Sequence, residues 1–163
     1  MSGQVAALFR HPVKGFTPEP LARAELSAGA PFPGDRLYAV ENGPSGFDPA
    51  APVFTPKQKF TVLAAMPAVA RARTRLDDAT GLFHAQAPGQ PAIAADLAQE
   101  SGRAAFADWV ADLLGEDVRG PLNVASAEGH RFMDHPRGDI SIVNLASVRD
   151  PEQKVGRAID PLR

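Results

Sequence analysis

The sequence predicts an α+β fold rich in β-structure, most simply a small β-barrel with one inserted or appended amphipathic helix. Three observations predict it. Short apolar or alternating runs dominate the first hundred residues, one helical stripe follows at 106–114, and a strand and a helix close the chain.

Along the chain, residues 5–13 alternate loosely, with Val5, Ala7, Phe9 and Val13 on one side, and predict a first strand. Pro18 and Pro20 interrupt it, and 22–26 is the second strand candidate. Pro33-Gly34 suits a turn that needs positive φ. Leu37-Tyr38-Ala39-Val40 is apolar on both faces, as a strand covered on both sides should be. Gly and Pro crowd 42–56, which predicts a long surface loop.

The clearest period of two lies at 69–76, where Arg71, Arg73 and Arg75 face one way and Ala70, Ala72, Thr74 and Leu76 the other. Asp77-Asp78-Ala79-Thr80-Gly81 carries turn chemistry, and 82–85 predicts the returning strand. Phe106, Trp109, Val110, Leu113 and Leu114 recur at the spacing of one buried helical face, with Ser101 as N-cap and Gly115 ending the helix. Residues 122–125 and 140–143 predict short strands. A last helix runs from Leu145 towards Val155, and Pro151 either kinks it or opens a restarted helix capped by Asp150.

Composition narrows the function. The chain has 163 residues, enough to bury roughly 70% of its unfolded surface. Seventeen basic residues against nineteen acidic ones give a net charge of −2, which disfavours nucleic acid as a partner. There is no cysteine, so disulfides, thiolate metal sites and cysteine nucleophiles are excluded within these residues. The start has no signal-peptide pattern and no apolar run is long enough to cross a membrane. These features predict a cytoplasmic protein.

Established catalytic patterns are absent. Ser141, His135 and Asp139 are sequence neighbours without the geometry of a triad, and His130 with His135 matches no known metal-ligand spacing, so no catalytic residue and no metal ligand is assigned. Cations at strand ends are more informative. Lys14 falls where the first strand should end, with its ammonium projecting from the barrel mouth. Arg36 follows a tight turn. Such a pair could grip a phosphate, Lys as a point charge and Arg as a bidentate fork. Isolated surface charges usually do nothing, so the spacing alone favours ordinary surface residues.

A resemblance shifts that balance. Val5-Ala-Ala-Leu-Phe-Arg-His-Pro-Val-Lys-Gly15 resembles the opening strand of the MOSC N-terminal β-barrel, and Gly34-Asp35-Arg36-Leu37-Tyr38-Ala39-Val40 its Gly-Asp-Arg strand. Thr55-Pro56-Lys57-Gln58 is similar to the turn that follows. Ser141-Ile142-Val143-Asn144-Leu145-Ala146-Ser147 resembles the opening of the MOSC domain itself. The resemblance implies a barrel-type region over 1–120 and a truncated MOSC domain over 121–163. It implies binding of the pterin-molybdenum cofactor (molybdopterin), as in sulfur carriers, sulfurases and molybdenum oxidoreductases. Lys14, Gly15 and Arg36 would hold the phosphate end. Asn144, capping the last helix, would face the same cleft, and Lys57 could add charge at its rim.

Relatives often carry Ser where this chain has Gly15, so one hydroxyl contact would be lost. Relatives also continue into a segment that supplies a cysteine for molybdenum or sulfur, which implies a shortened and inactive chain. Pyridoxal phosphate serves the family's sulfur donors on a separate domain and is not expected here. The implied partners are a cysteine desulfurase or a redox protein. Strands from Leu122 onward would lack partners, which predicts self-association through exposed edges or disorder. The alternative is a non-enzymatic barrel that binds a partner chain. Oligonucleotide binding through Arg71, Arg73 and Arg75 ranks last, because Phe83 is the only ring near them in sequence.

Overall fold

The first two strands meet as a hairpin, but not at the expected positions. In the computed structural model, which describes residues 3–162, β1 (Leu8–Arg10) pairs antiparallel with β2 (Glu19–Leu21), placing Phe9 opposite Pro20. Residues 22–26 are irregular instead. Proline cannot donate to a ladder, yet a two-stranded ladder leaves one side of each strand unpaired, and Pro20 is tolerated there.

β3 (Ala39–Asn42) follows and pairs in full register with β7 (Leu122–Ala125), Val40 opposite Val124. The loop expected over 42–56 begins one residue later, after Asn42 closes β3, and leads to a 3₁₀ turn at Lys57–Lys59. The alternating arginine segment divides in two. Pro67–Arg71 is a 3₁₀ turn, and only Arg73–Leu76 is a strand, β4. Within β4 the alternation holds, with Thr74 buried and Arg73 and Arg75 exposed. Asp77 builds the turn as expected, its side chain accepting from the amides of Ala79 and Thr80. The returning strand is β5 (Phe83–Ala87), and β6 (Gln90–Ala95) adds an outer edge that the sequence did not reveal. Its Ala-rich run with Pro91 lacks the β-branched signature of a strand.

Helix α1 (Glu100–Leu114) buries Phe106, Trp109, Val110, Leu113 and Leu114 on one face and ends at Gly115 with φ 56°. It starts earlier than a Ser101 cap would allow, because the turn at Asp96 delivers the chain directly. Gln99 N donates to the Asp96 carbonyl, and Ala98 N to its carboxylate. A Cβ on Gly102 would lie 2.0 Å from the Asp96 carbonyl oxygen, so the close approach needs glycine. Trp109 is a core residue. Its ring stacks on Phe106 at 5.9 Å and its indole N–H donates to the Pro91 carbonyl. Phe106 is fully buried and also meets Phe16 and Phe83.

The described residues form no closed barrel. Their strands make three ladders, β1-β2, β3-β7 and β4-β5-β6. Closure needs a continuous staggered register around the whole sheet. Here the joins are isolated bridges, Val13 with Tyr38 and Glu41 with Phe60, and side-chain ties such as Thr17 Oγ1 to the Ala72 carbonyl and Thr74 Oγ1 to the Thr17 carbonyl. A buried Arg10 adds to them: it pairs with Glu19 on β2 and reaches the Leu76 carbonyl at the end of β4 and Asp78 beyond it.

Two expectations for the end of the chain need correction. β7 does not lack a partner, since β3 supplies one and Val124 and Ala125 are buried. Residues 140–143 form no strand; they are exposed, Ile142 at 91%. Helix α2 (Leu145–Val155) is present as expected, capped by Asn144 Oδ1 accepting from Ala146 N. It passes through Pro151 without restarting and ends at Gly156 with φ 67°.

Candidate anion-binding site

The stretch after β1 is zipped against the stretch before β3. Arg36 N donates to the His11 carbonyl, Tyr38 N to that of Pro12, and Lys14 N to that of Tyr38, with Val13 and Tyr38 forming a parallel bridge. This register brings two motifs more than twenty residues apart into contact. Asp35 locks it: the buried carboxylate accepts from His11 N at 2.6 Å and from Arg36 Nη1. Gly34 beside it has φ +69°, a conformation that favours glycine, and a Cβ there would also crowd the Arg10 guanidinium.

Arg36 itself has φ 48°, the one non-glycine residue with positive φ among the described residues. The left-handed region costs a side-chain-bearing residue roughly 1–3 kcal/mol, and such strain persists where the surroundings over-determine it. The His11 carbonyl and the Asp35 carboxylate supply those surroundings. The guanidinium is about a quarter exposed, and its hydrogen bond among the described residues goes to Asp35, leaving most of its five donors free.

Lys14 does not project from a barrel mouth. Its side chain is 2% exposed, and its three ammonium donors go to the Phe132 carbonyl at 2.9 Å, the Met133 carbonyl at 3.0 Å and Asp134 Oδ1 at 2.6 Å. Burial holds its pKa below the ordinary range, against the opposing pull of Asp134. For Asp134, burial works against the charged form, but hydrogen bonding and charge from Lys14, with Arg36 and Lys57, outweigh it and depress the pKa. Lys57, exposed on its 3₁₀ turn, therefore belongs to the same electrostatic neighbourhood.

Gly15 has φ +83°, and a Cβ there would lie 2.5 Å from the Thr61 carbonyl oxygen. The position demands glycine in this chain, so it is more than a serine site that has lost its hydroxyl. His11 Nδ1 lies 2.9 Å from the Phe16 carbonyl, which can only accept; the ring is thus the Nδ1–H tautomer with Nε2 left as an acceptor. Burial, with help from Arg36, pushes its pKa down.

These groups surround one cleft of about 160 Å³, lined by His11, Lys14, Gly15, Phe16, Arg36 and Asp134 among others. Three expected site residues thus meet. The fourth does not join them: Asn144 spends its side-chain oxygen on α2 and does not line the cleft. Asp134 and His11 were not foreseen. His11 sits inside the first motif, whereas nothing in the sequence couples Asp134 to Lys14.

The other charged clusters do less. Arg71 leaves the arginine row to donate to the Leu113 carbonyl. His130 packs against Phe47 and Phe132. No group of three or more His, Asp or Glu converges as a metal site among the described residues. A larger hollow of about 510 Å³ lies between Gly29–Pro31 and residues 129–140, and neither Lys14 nor Arg36 lines it; of its cations, Arg137 is paired with Asp139. No described helix is long and apolar enough to cross a membrane.

Residues 2–117 match the family described as the MOSC N-terminal beta barrel domain, a span that includes Lys14, Gly15 and Arg36. No curated protein and no solved structure matches the chain. That match covers well over half of the sequence, and with both motifs meeting at one cleft, the chain belongs to the MOSC N-terminal β-barrel domain family.

Proposed function

We propose that this chain binds the phosphate end of the pterin-molybdenum cofactor, with Lys14 and Arg36 as the cationic grips and the Gly15 backbone beside them. The supporting observation is the parallel pairing of residues 11–14 with 36–38, which sets a lysine and an arginine from separate motifs on one cleft. A cleft of about 160 Å³ suits a phosphate group; sites that enclose a whole drug-sized ligand run to roughly 300–1,000 Å³. The fit is therefore to the phosphate end alone, with the pterin rings lying outside this cleft. When bound, the molybdenum centre would supply sulfur- or oxygen-transfer chemistry. The chain's own residues bind and orient, and with no cysteine they offer no thiolate to the metal. Work of that class calls for a cysteine desulfurase or redox protein as partner, in the cytoplasm.

A second reading is an interaction module without cofactor. Its support is the end of the chain: α2 buries none of its residues, its first residue Leu145 is exposed, and so are Ile142 and Val143 just before it. Anaerobic titration with released pterin-molybdenum cofactor separates the two. The cofactor reading expects saturable binding weakened about 10–100-fold by Lys14→Ala or Arg36→Ala, the loss typical of a hydrogen bond to a charged group. A folded chain that takes up no cofactor supports the interaction module.

A further inference from the structure

We infer that the Asp134 carboxylate is a built-in competitor for the anion cleft, occupying on Lys14 the position that a ligand phosphate oxygen takes when it binds. The inference rests on the phosphate-binding reading above and adds regulation of that site by this chain's own acid.

The three partners of Lys14 are of two kinds. The carbonyls of Phe132 and Met133 come from a fixed backbone. Phe132 is 3% exposed, its ring packs edge-on to Phe60 at 5.4 Å and against Phe47 at 4.9 Å, and its amide donates to the Arg36 carbonyl. Asp134 is different. Its side chain is 61% exposed while Lys14 is 2% exposed, so the carboxylate can swing into solvent without moving the ammonium or its carbonyl partners. One donor of Lys14 is thus exchangeable and two are not.

Asp134 is also the acid at the centre of the local charge. Lys14, Arg36 and Lys57 all act on it, and it acts in turn on His11. An ammonium has three donors and no more, so a phosphate oxygen reaches Lys14 only by taking the place of the carboxylate. Arg36, committed to Asp35 through one nitrogen, keeps donors for the same incoming group. The ligand therefore binds in exchange for an internal anion. Its apparent affinity is the intrinsic affinity multiplied by the fraction of chains in which Asp134 has swung away.

The test is calorimetric titration with inorganic pyrophosphate of the full chain and of Asp134→Asn, Asp134→Ala and Asp139→Asn, each checked for folding by circular dichroism. Asp139→Asn removes the same charge from the same segment, but its carboxylate pairs with Arg137 and does not line the cleft. Both Asp134 substitutions are expected to tighten pyrophosphate binding on the order of tenfold. Asp139→Asn should leave it unchanged, and adding Lys14→Ala to Asp134→Asn should abolish the gain. Binding by the parent chain that the Asp134 substitutions leave unchanged or weaken overturns the competitor role and leaves the phosphate site standing. Equal tightening by Asp139→Asn reduces the effect to net charge and also overturns it. Absence of binding in every variant overturns the phosphate site itself, and the competitor with it.

Discussion

Lys14 Nζ donates to Asp134 Oδ1 at 2.6 Å, joining residues 120 positions apart and tying the segment after β7 to the corner after β1. The carboxylate's pKa is depressed by Lys14, Arg36 and Lys57 in spite of partial desolvation. An acid whose folded pKa is depressed contributes stability above its ordinary value, 3.8 here, and loses it as pH falls through the depressed value. The acid limb of the unfolding curve should therefore flatten in Asp134→Asn. Thermal melts of the two chains from neutral pH down to below 3.8 check this: their difference should be largest near neutrality and shrink in acid.

His11 works on a different part of the pH scale. Burial first, and Arg36 after it, keep its pKa under the ordinary 6.5. The unfolded ring then takes up a proton in a range where the folded ring does not. Stability accordingly falls as pH drops through 6.5 towards the depressed value. Following the ring protons by NMR should give a midpoint below 6.5, and His11→Gln should remove this part of the pH dependence.

Arg10 is 4% exposed and satisfies Glu19, itself 3% exposed, together with Asp78 and the Leu76 carbonyl. Arg10→Ala leaves a buried carboxylate without its cation and is expected to cost about 3–5 kcal/mol. Arg10→Ala with Glu19→Ala should cost less than the sum of the two single changes, because the second removes the orphaned charge. Urea unfolding of the four chains measures the coupling.

Gly15→Ser tests whether this position needs a hydroxyl or a glycine. With φ at +83° and the Thr61 carbonyl oxygen 2.5 Å from a new Cβ, the substitution should destabilise by at least about 1–3 kcal/mol. Chemical denaturation reads the effect. A serine variant as stable as the parent would show that the corner is free to shift.

How far the sequence spoke for the fold depends on the range of the contacts involved. Phe106, Trp109 and Leu113 betrayed α1 because helical packing repeats locally. The turn at Asp77 and the cap at Asn144 were equally legible, since each is a side chain bonding its own neighbourhood. The division of the strands into three separate ladders was not, because three- to six-residue strands do not declare their partners, and β7 found one in β3. The pattern at 140–143 misled: apolar residues in a row are consistent with a strand, but no ladder receives them. At the site, Lys14, Gly15 and Arg36 were visible as motif residues. The burial of Lys14 was not, because it depends on Phe132, Met133 and Asp134, which only the tertiary fold brings near.

The central claim is that Lys14 and Arg36 act on one bound phosphate, and a double-mutant cycle on cofactor affinity tests it most directly. Anaerobic binding would be measured for the parent, Lys14→Ala, Arg36→Ala and the double variant. Each single change should weaken binding, and the double variant should lose less than the sum, with a coupling of about 0.5–3 kcal/mol for groups that share a ligand. Strictly additive losses, or binding indifferent to either change, would contradict a shared phosphate site.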